Sequence, residues 1–173
     1  ITVSYILKPV RNSLFLSQYG ASHLPYVYIV VAAVVGFVAA IFSKLVSRFY
    51  LKNLFVAGAL LFAVSLGVFW WAIETRTPFT GFVFYVWVSI YTIVMPTLFW
   101  LIANYIFYSN EARRLFSLVA AGGILGSIAG GGLTSTLVSR TGTSGLLLAA
   151  SVVLIAIALL VFWVNIQEKG RIN

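Results

Sequence analysis

Long apolar stretches are the feature that most limits what this chain can fold into. Five of them follow one another, each about 20 residues long or longer, at Pro25–Phe42, Leu54–Ile73, Phe79–Phe107, Leu115–Val138 and Ser144–Val164. Because a helix rises about 1.5 Å per residue, about 20 residues cross a hydrocarbon core roughly 30 Å thick. The pattern therefore predicts helices that span a membrane.

A shorter apolar stretch opens the chain, from Ile1 to about Leu16. It would rise only about 24 Å as a helix. We expect it to be a first transmembrane helix whose N-terminal part is missing from this sequence, with a cleaved signal peptide as the alternative. The predicted fold is all-α, a single six-helix membrane domain over residues 1–173. The predicted helices cover residues 1–16, 25–42, 54–73, 79–107, 115–138 and 144–164.

The composition excludes most soluble functions. Hydrophobic residues make up 62% of the chain and charged residues 8%, whereas soluble domains carry about 45–50% and about 25%. The chain has no Cys and one His, so we expect no cofactor, no disulfide and no Cys/His metal site. It also has no Gly-x-Ser-x-Gly motif and no carboxylates paired at catalytic spacing, so we predict that it is not an enzyme.

The net charge of +8 is explained better by a membrane than by nucleic acid, because the basic residues lie mostly in short gaps between apolar stretches. Two lie on one predicted side, at Arg76 and Arg140. Seven lie on the other, at Lys44, Arg48, Lys52, Arg113, Arg114, Lys169 and Arg171. The bias places the C-terminus in the cytoplasm. We expect a bacterial inner-membrane protein whose main partner is the lipid bilayer.

Lys8 and Arg11 lie three residues apart, on one face of the first predicted helix. If that helix ends near Ser17, Lys8 lies about 13 Å below its outer end, near the bilayer midplane. Buried cations of this kind usually face a cavity and mark a substrate or ion path; snorkelling to the interface is the alternative. The acids of the chain fall at predicted helix ends, so a counter-charge must come from an anionic substrate, a lipid phosphate or another bundle.

Glycines recur every four residues in the fifth predicted helix, at Gly122, Gly126 and Gly130. In lipid, small residues allow two helices to approach closely, and close packing strengthens their association. No Gly-Lys-Ser/Thr sequence follows, so a nucleotide-binding loop is not indicated. We interpret these glycines as a helix-packing face.

A charged cluster, Glu111, Arg113 and Arg114, begins the same helix on its predicted cytoplasmic side. A negative charge is favourable near a helix N-terminus. We interpret the cluster as a capped and anchored helix end.

Three stretches resemble a known family: YILKPVRNSLFL, QYGASHLP and, most specifically, ANYIFYSNEARRLFSLVAAGGILGSIAGG. They are similar to the first helix and the helix 4–5 region of the ATP/ADP translocase-like branch of the major facilitator transporters. The resemblance implies the N-terminal six-helix half of a twelve-helix nucleotide transporter. It also implies a binding role for Lys8 and Arg11, together with Asn12 and Asn104. Two acids of the family pattern are absent, since Asn12 and Tyr105 stand in their places.

Two functions remain open at this point. One is the N-terminal half of a secondary transporter for an anionic solute such as a nucleotide, working against a second six-helix bundle. The other is a non-transporting scaffold or accessory subunit of a larger membrane complex. Lys8 and Arg11 favour the first, and the missing acids favour the second.

Overall fold

The computed structural model describes residues 1–75, 79–106 and 109–170, without the side chains of residues 105–106, 109–115, 141, 144, 162 and 164–170. The described residues form helices and no strand. The helices are α1 (Thr2–Tyr19), a short 3-10 turn (Ala21–His23), α2 (Leu24–Arg48), α3 (Leu51–Glu74), α4 (Thr80–Ile106) and α5 (Ser109–Gly170).

α5 consists of two helical segments that meet at Gly142. This residue has φ 64° and ψ −158° inside an otherwise helical run, a conformation that glycine adopts without steric cost. The sequence predicted a connection over residues 139–143, and the structure places the break at one residue. The first segment therefore covers residues 109–141 and the second covers residues 143–170.

Several predicted boundaries differ from the structure. The sequence pattern predicted that Lys44 and Arg48 lie in the connection between the second and third helices, but α2 continues through both of them. The stretch has no glycine or proline to end the helix; Phe49 ends it by adopting extended backbone, with φ −119° and ψ 151°. α3 begins two residues later, so the basic residues extend the helices at this end of the molecule.

Four described helices are long and apolar enough to cross a membrane: Ala21–Arg48, Leu51–Glu74, Thr80–Asn104 and Phe116–Arg140. A shorter apolar helix covers Gly145–Val161. α1 is not among the four, because polar residues are spaced along it. By length and composition, the four longer helices are therefore candidates for crossing a membrane.

The main core joins α1, α3, α4 and the second segment of α5. Its buried residues include Val3, Ile6 and Leu7 of α1 and Leu146 and Leu147 of α5, together with aromatic side chains of α3 and α4. A second, smaller cluster consists of Phe15, Val27 and Tyr85. Val27 is the one buried residue of α2, so α2 lies at the edge of the bundle, against α4.

α1 runs parallel to the first segment of α5 and lies very close to it. A Cβ added at Gly126 would lie 2.8 Å from the Thr2 hydroxyl oxygen, and one at Gly130 would lie 2.7 Å from the Thr2 carbonyl oxygen. Both distances are too short for a real side chain. Gly122 differs from the prediction, because a Cβ there would meet nothing within 4 Å, whereas one at Gly123 would lie 2.7 Å from Ile1. Helical rotation explains the shift, since spacings of three and four alternate along one face.

A proline interrupts the hydrogen bonding of α1 next to this contact. Pro9 has no N–H to donate to the carbonyl of Tyr5, four residues earlier. The Thr134 hydroxyl of α5 donates to that carbonyl at 3.5 Å, as well as to the carbonyl of Gly130 at 2.8 Å. α5 thus helps to satisfy a backbone oxygen that the sequence of α1 leaves open.

Candidate functional site

Arg11 lies between α1 and α4 and is held on three sides. Its guanidinium carbon lies 4.2 Å from the centre of the Tyr85 ring. Its Nη1 donates to the Ser89 hydroxyl oxygen at 3.2 Å, and its Nε donates to the Asn12 side-chain oxygen at 3.2 Å. All three partners are neutral, so the positive charge is oriented without being neutralised by them.

Tyr85 and Ser89 were not identified from the sequence, yet they form the α4 side of this site. Tyr85 is 1% exposed and Ser89 is 5% exposed. The Ser89 hydroxyl donates to the Tyr85 carbonyl at 2.7 Å, which leaves the serine oxygen as the acceptor that faces Arg11. A sequence signal was present, because Tyr85, Ser89 and Thr92 follow one another at spacings of four and three and so share a helix face.

Lys8 has a different environment from Arg11. Its ammonium nitrogen lies 5.8 Å from the centre of the Tyr5 ring, and both Lys8 and Tyr5 are exposed on the surface of the bundle. The two basic residues therefore share a helix face but not a binding environment. Arg11 is half-buried against α4, and Lys8 is exposed beside it.

The two candidate asparagines are far apart along the bundle. Asn12 is exposed and accepts the hydrogen bond from Arg11. Asn104 is exposed near the C-terminal end of α4, fifteen residues beyond Ser89, which corresponds to about 22 Å along the helix. The structure thus joins Asn12 to Arg11, places Lys8 on the exposed surface of the same helix and leaves Asn104 apart from them.

A second polar contact joins α1 to α4 nearer the C-terminal end of α1. The Gln18 side-chain oxygen accepts a hydrogen bond from the Gly81 backbone N–H at 2.9 Å. Gly81 is the second residue of α4, where backbone N–H groups lack an acceptor in their own helix. A Cβ at Gly81 would lie 2.6 Å from the Gln18 oxygen and 3.0 Å from the Leu14 carbonyl oxygen, so glycine is needed for this close approach.

Several aromatic side chains pack against one another between these two polar contacts. The Tyr85 ring centre lies 5.0 Å from that of Phe15 and 6.2 Å from that of Tyr28, while Tyr19 lies 5.2 Å from Phe15. Such tilted and edge-on pairs bury large areas and restrict ring motion. Tyr85 is therefore fixed by its neighbours on α1 and α2.

The charged cluster Glu111, Arg113 and Arg114 lies on helical backbone at the start of α5. Its side chains are outside the described part of the chain. The interpretation of this cluster as an anchored helix end stays a prediction.

The arrangement around Arg11 is suited to binding an anion rather than to covalent chemistry. The guanidinium is a permanent cation, and its planar fork matches the two-oxygen edge of a phosphate or carboxylate. No His, Cys or carboxylate contacts Arg11 among the residues the structure describes. The site offers charge, orientation and hydrogen-bond donors.

Comparison with known proteins provides the family. The profile of the TLC ATP/ADP transporter family matches residues 61–167, which include most of α3, all of α4 and most of α5. No significant match was found among curated proteins or solved structures. The family consists of transporters rather than enzymes. Since the match covers more than half of the sequence, this chain belongs to the TLC ATP/ADP transporter family and is a transporter-like membrane protein.

Proposed function

We propose that the chain is the N-terminal six-helix half of a secondary transporter for an anionic solute, with a nucleotide as the preferred class. The placement of Arg11 between α1 and α4, beside neutral groups, carries this proposal. The family match at residues 61–167 supports the substrate class. In this proposal α1, α2, α3, α4 and the two segments of α5 each cross the bilayer.

The depth of the basic residues supports an anion-binding role. Arg11 is eight residues before Tyr19, the last residue of α1, and therefore about 12 Å below that end; Lys8 is about 16 Å below it. In a hydrocarbon core about 30 Å thick, both lie close to the midplane. An unpaired cation at that depth costs about 2.5–3.5 kcal/mol on insertion scales, so an anionic ligand would relieve an unfavourable state.

The positions of the acids support an external counter-charge. The chain has three acids, Glu74, Glu111 and Glu168. Each lies within three residues of the end of α3 or α5, whereas Arg11 lies in the middle of α1. A nucleotide phosphate entering between two bundles would supply the missing negative charge. We propose that a second six-helix bundle forms the other wall of this site, with the C-terminus of this chain in the cytoplasm of a bacterial cell.

A second candidate function follows from one observation. Asn12 contacts Arg11 at the position where the family pattern has an acid, so the charge-pair switching expected of an active carrier lacks one member. A non-transporting scaffold or accessory subunit of a larger membrane complex would tolerate that loss. The scaffold is therefore the alternative to be tested.

Exchange of labelled ATP and ADP across proteoliposomes distinguishes the two functions. The complete gene product should show saturable exchange that is lost in Arg11→Ala. The 173-residue unit alone should show none, because it provides only one wall of the site. Absence of exchange by the complete protein, together with its stable co-purification in a larger membrane assembly, would contradict transport and support the scaffold.

A further inference from the structure

We propose that Tyr85 and Ser89 are positioning residues that hold the Arg11 guanidinium in one plane, so that Arg11 and not Lys8 makes the two-oxygen contact with a phosphate. This inference rests on the proposed function, because it names how that site recognises its anionic solute. It assigns a role to two α4 residues that the sequence analysis did not identify.

Three contacts constrain the Arg11 guanidinium. The Tyr85 ring lies under its carbon at 4.2 Å, and two hydrogen bonds of 3.2 Å reach Ser89 and Asn12. The ring limits the tilt of the guanidinium, and hydrogen bonds from two of its nitrogens limit its rotation. Fixing the orientation in advance lowers the entropy lost when a ligand binds.

The two α4 residues that contact Arg11 are themselves buried and held by neighbours. Tyr85 is 1% exposed and packs against Phe15 and Tyr28. Ser89 is tied to the Tyr85 carbonyl by its own hydroxyl hydrogen. Residues locked by packing hold a binding group more accurately than mobile ones, so the orientation of Arg11 is imposed by α4.

Arg11 also keeps N–H donors that its neighbours in the described part of the chain do not use. A guanidinium has five N–H donors, and Ser89 and Asn12 take two of them, which leaves three without a partner in the described part of the chain. Three donors on a planar group suffice for a two-oxygen contact with a phosphate. The protein has thus oriented Arg11 without using all of its hydrogen-bonding capacity.

Lys8 provides the contrast. Its nitrogen lies 5.8 Å from the ring centre of an exposed tyrosine, a much looser contact than that of Arg11. An ammonium is a point charge on a flexible stem and cannot form the planar fork. Lys8 is therefore expected to contribute attraction without defining the geometry of the bound phosphate.

Equilibrium binding of labelled ATP to the complete purified protein tests the positioning role directly. Tyr85→Leu should weaken binding about 2- to 30-fold, which corresponds to the loss of a cation–π contact of about 0.5–2 kcal/mol. Tyr85→Phe keeps the ring face and should stay within about twofold of wild type. In the Arg11→Ala background, Tyr85→Leu should have little further effect, because the group that it positions is gone.

Matched controls separate positioning from general damage to α4. Tyr91 lies on the same helix, is 4% exposed and packs on Phe62, so Tyr91→Leu removes a comparable ring away from Arg11. Ser65→Ala removes a hydroxyl bonded only within α3 and matches Ser89→Ala. Weakened ATP binding should appear in Tyr85→Leu and Ser89→Ala and not in these controls.

Exchange in proteoliposomes, measured with the same variants, separates this inference from the proposed function. Tyr85→Leu should raise KM and leave kcat nearly unchanged, with rescue by Tyr85→Phe. Binding that depends on Tyr85 without exchange in the wild type would support the positioning role and contradict transport. Exchange that is equally affected by Tyr85→Leu and Tyr91→Leu would support transport and overturn the positioning role. Absence of both ATP binding and exchange in the wild type would overturn both.

Discussion

Two of the contacts that α1 makes with the rest of the bundle differ in chemistry. Against the first segment of α5, the Thr2 hydroxyl lies on Gly126 and the Thr2 backbone lies on Gly130, so both positions are too close for a larger residue. Against α4, it presents polar side chains, with Arg11 on Ser89 and Gln18 on the Gly81 N–H. The first contact fixes the distance between helices, and the second places charge and hydrogen-bond donors. Under the proposed function, packing and recognition thus occupy separate faces of one short helix.

The largest expected effect is on the α5 contact. Gly130→Leu should prevent correct folding or assembly, because a side chain there would overlap the backbone of Thr2, and overpacking a close contact costs about 1–3 kcal/mol or more. Yield of monodisperse protein in detergent measures the effect. Gly122→Leu is the matched control and should be tolerated, since a Cβ there meets nothing within 4 Å. Equal yields from both variants would show that α1 does not lie on Gly130.

The next largest effect is on the α4 contact and should change binding rather than folding. Arg11→Ala should weaken ATP binding about 10- to 100-fold, the equivalent of a hydrogen bond to a charged group of about 1.5–3 kcal/mol, at near-normal yield. Lys8→Ala should have a smaller effect, because Lys8 lacks the fixed orientation of Arg11. A greater loss of binding in Lys8→Ala than in Arg11→Ala would reverse the assignment.

A smaller effect is expected where Gln18 caps α4. Gln18→Leu leaves the Gly81 N–H without its acceptor and should cost about 1 kcal/mol, typical of a lost N-terminal cap. The thermal unfolding midpoint should fall by about 2–4 °C. Gln18→Glu keeps an acceptor and places a negative charge at a helix N-terminus, so it should retain wild-type stability. An unchanged midpoint in Gln18→Leu would show that this hydrogen bond adds nothing.

The smallest effect is expected at Thr134. Thr134→Val removes the hydroxyl that donates to the Tyr5 carbonyl and should cost about 0.6 kcal/mol, the average found for hydrogen bonds between membrane helices. Thr136→Val is the control, because the Thr136 hydroxyl bonds only within α5. Thermal unfolding should be slightly lower for Thr134→Val. A larger loss in the control would remove the argument for support of α1 at Pro9.

The helical class and the membrane environment could be predicted from the sequence because they depend on apolar runs alone. Helix ends were harder to predict. α2 continues through Lys44 and Arg48 because lysine and arginine are good helix formers, although basic residues are typical of connections in a membrane sequence. The sequence pattern predicted Gly122 as part of the glycine face, whereas Gly123 is the residue that lies close to α1. A strict four-residue spacing drifts around a helix with 3.6 residues per turn.

The partners of Arg11 could not be predicted because they depend on how α1 and α4 are registered. Tyr85 and Ser89 are separated from Arg11 by more than 70 residues, and the close approach at Gly81 is one of the contacts that hold the two helices in this register. The three-residue spacing of Lys8 and Arg11 predicted that they share a helix face and act together. Tertiary packing separates them, because α4 covers one and leaves the other exposed.

Thiol labelling tests most directly whether Arg11 and Asn12 line a water-accessible site for an anion between α1 and α4. The chain has no cysteine, so Asn12→Cys introduces a single thiol beside Arg11, and Val64→Cys provides a control on the exposed apolar face of α3. In the complete protein in membranes, Asn12→Cys should react with an anionic, membrane-impermeant methanethiosulfonate, and ATP should slow that reaction; Val64→Cys should not react. An Asn12→Cys variant that labels no faster than Val64→Cys, or that ATP leaves unprotected, would contradict the account.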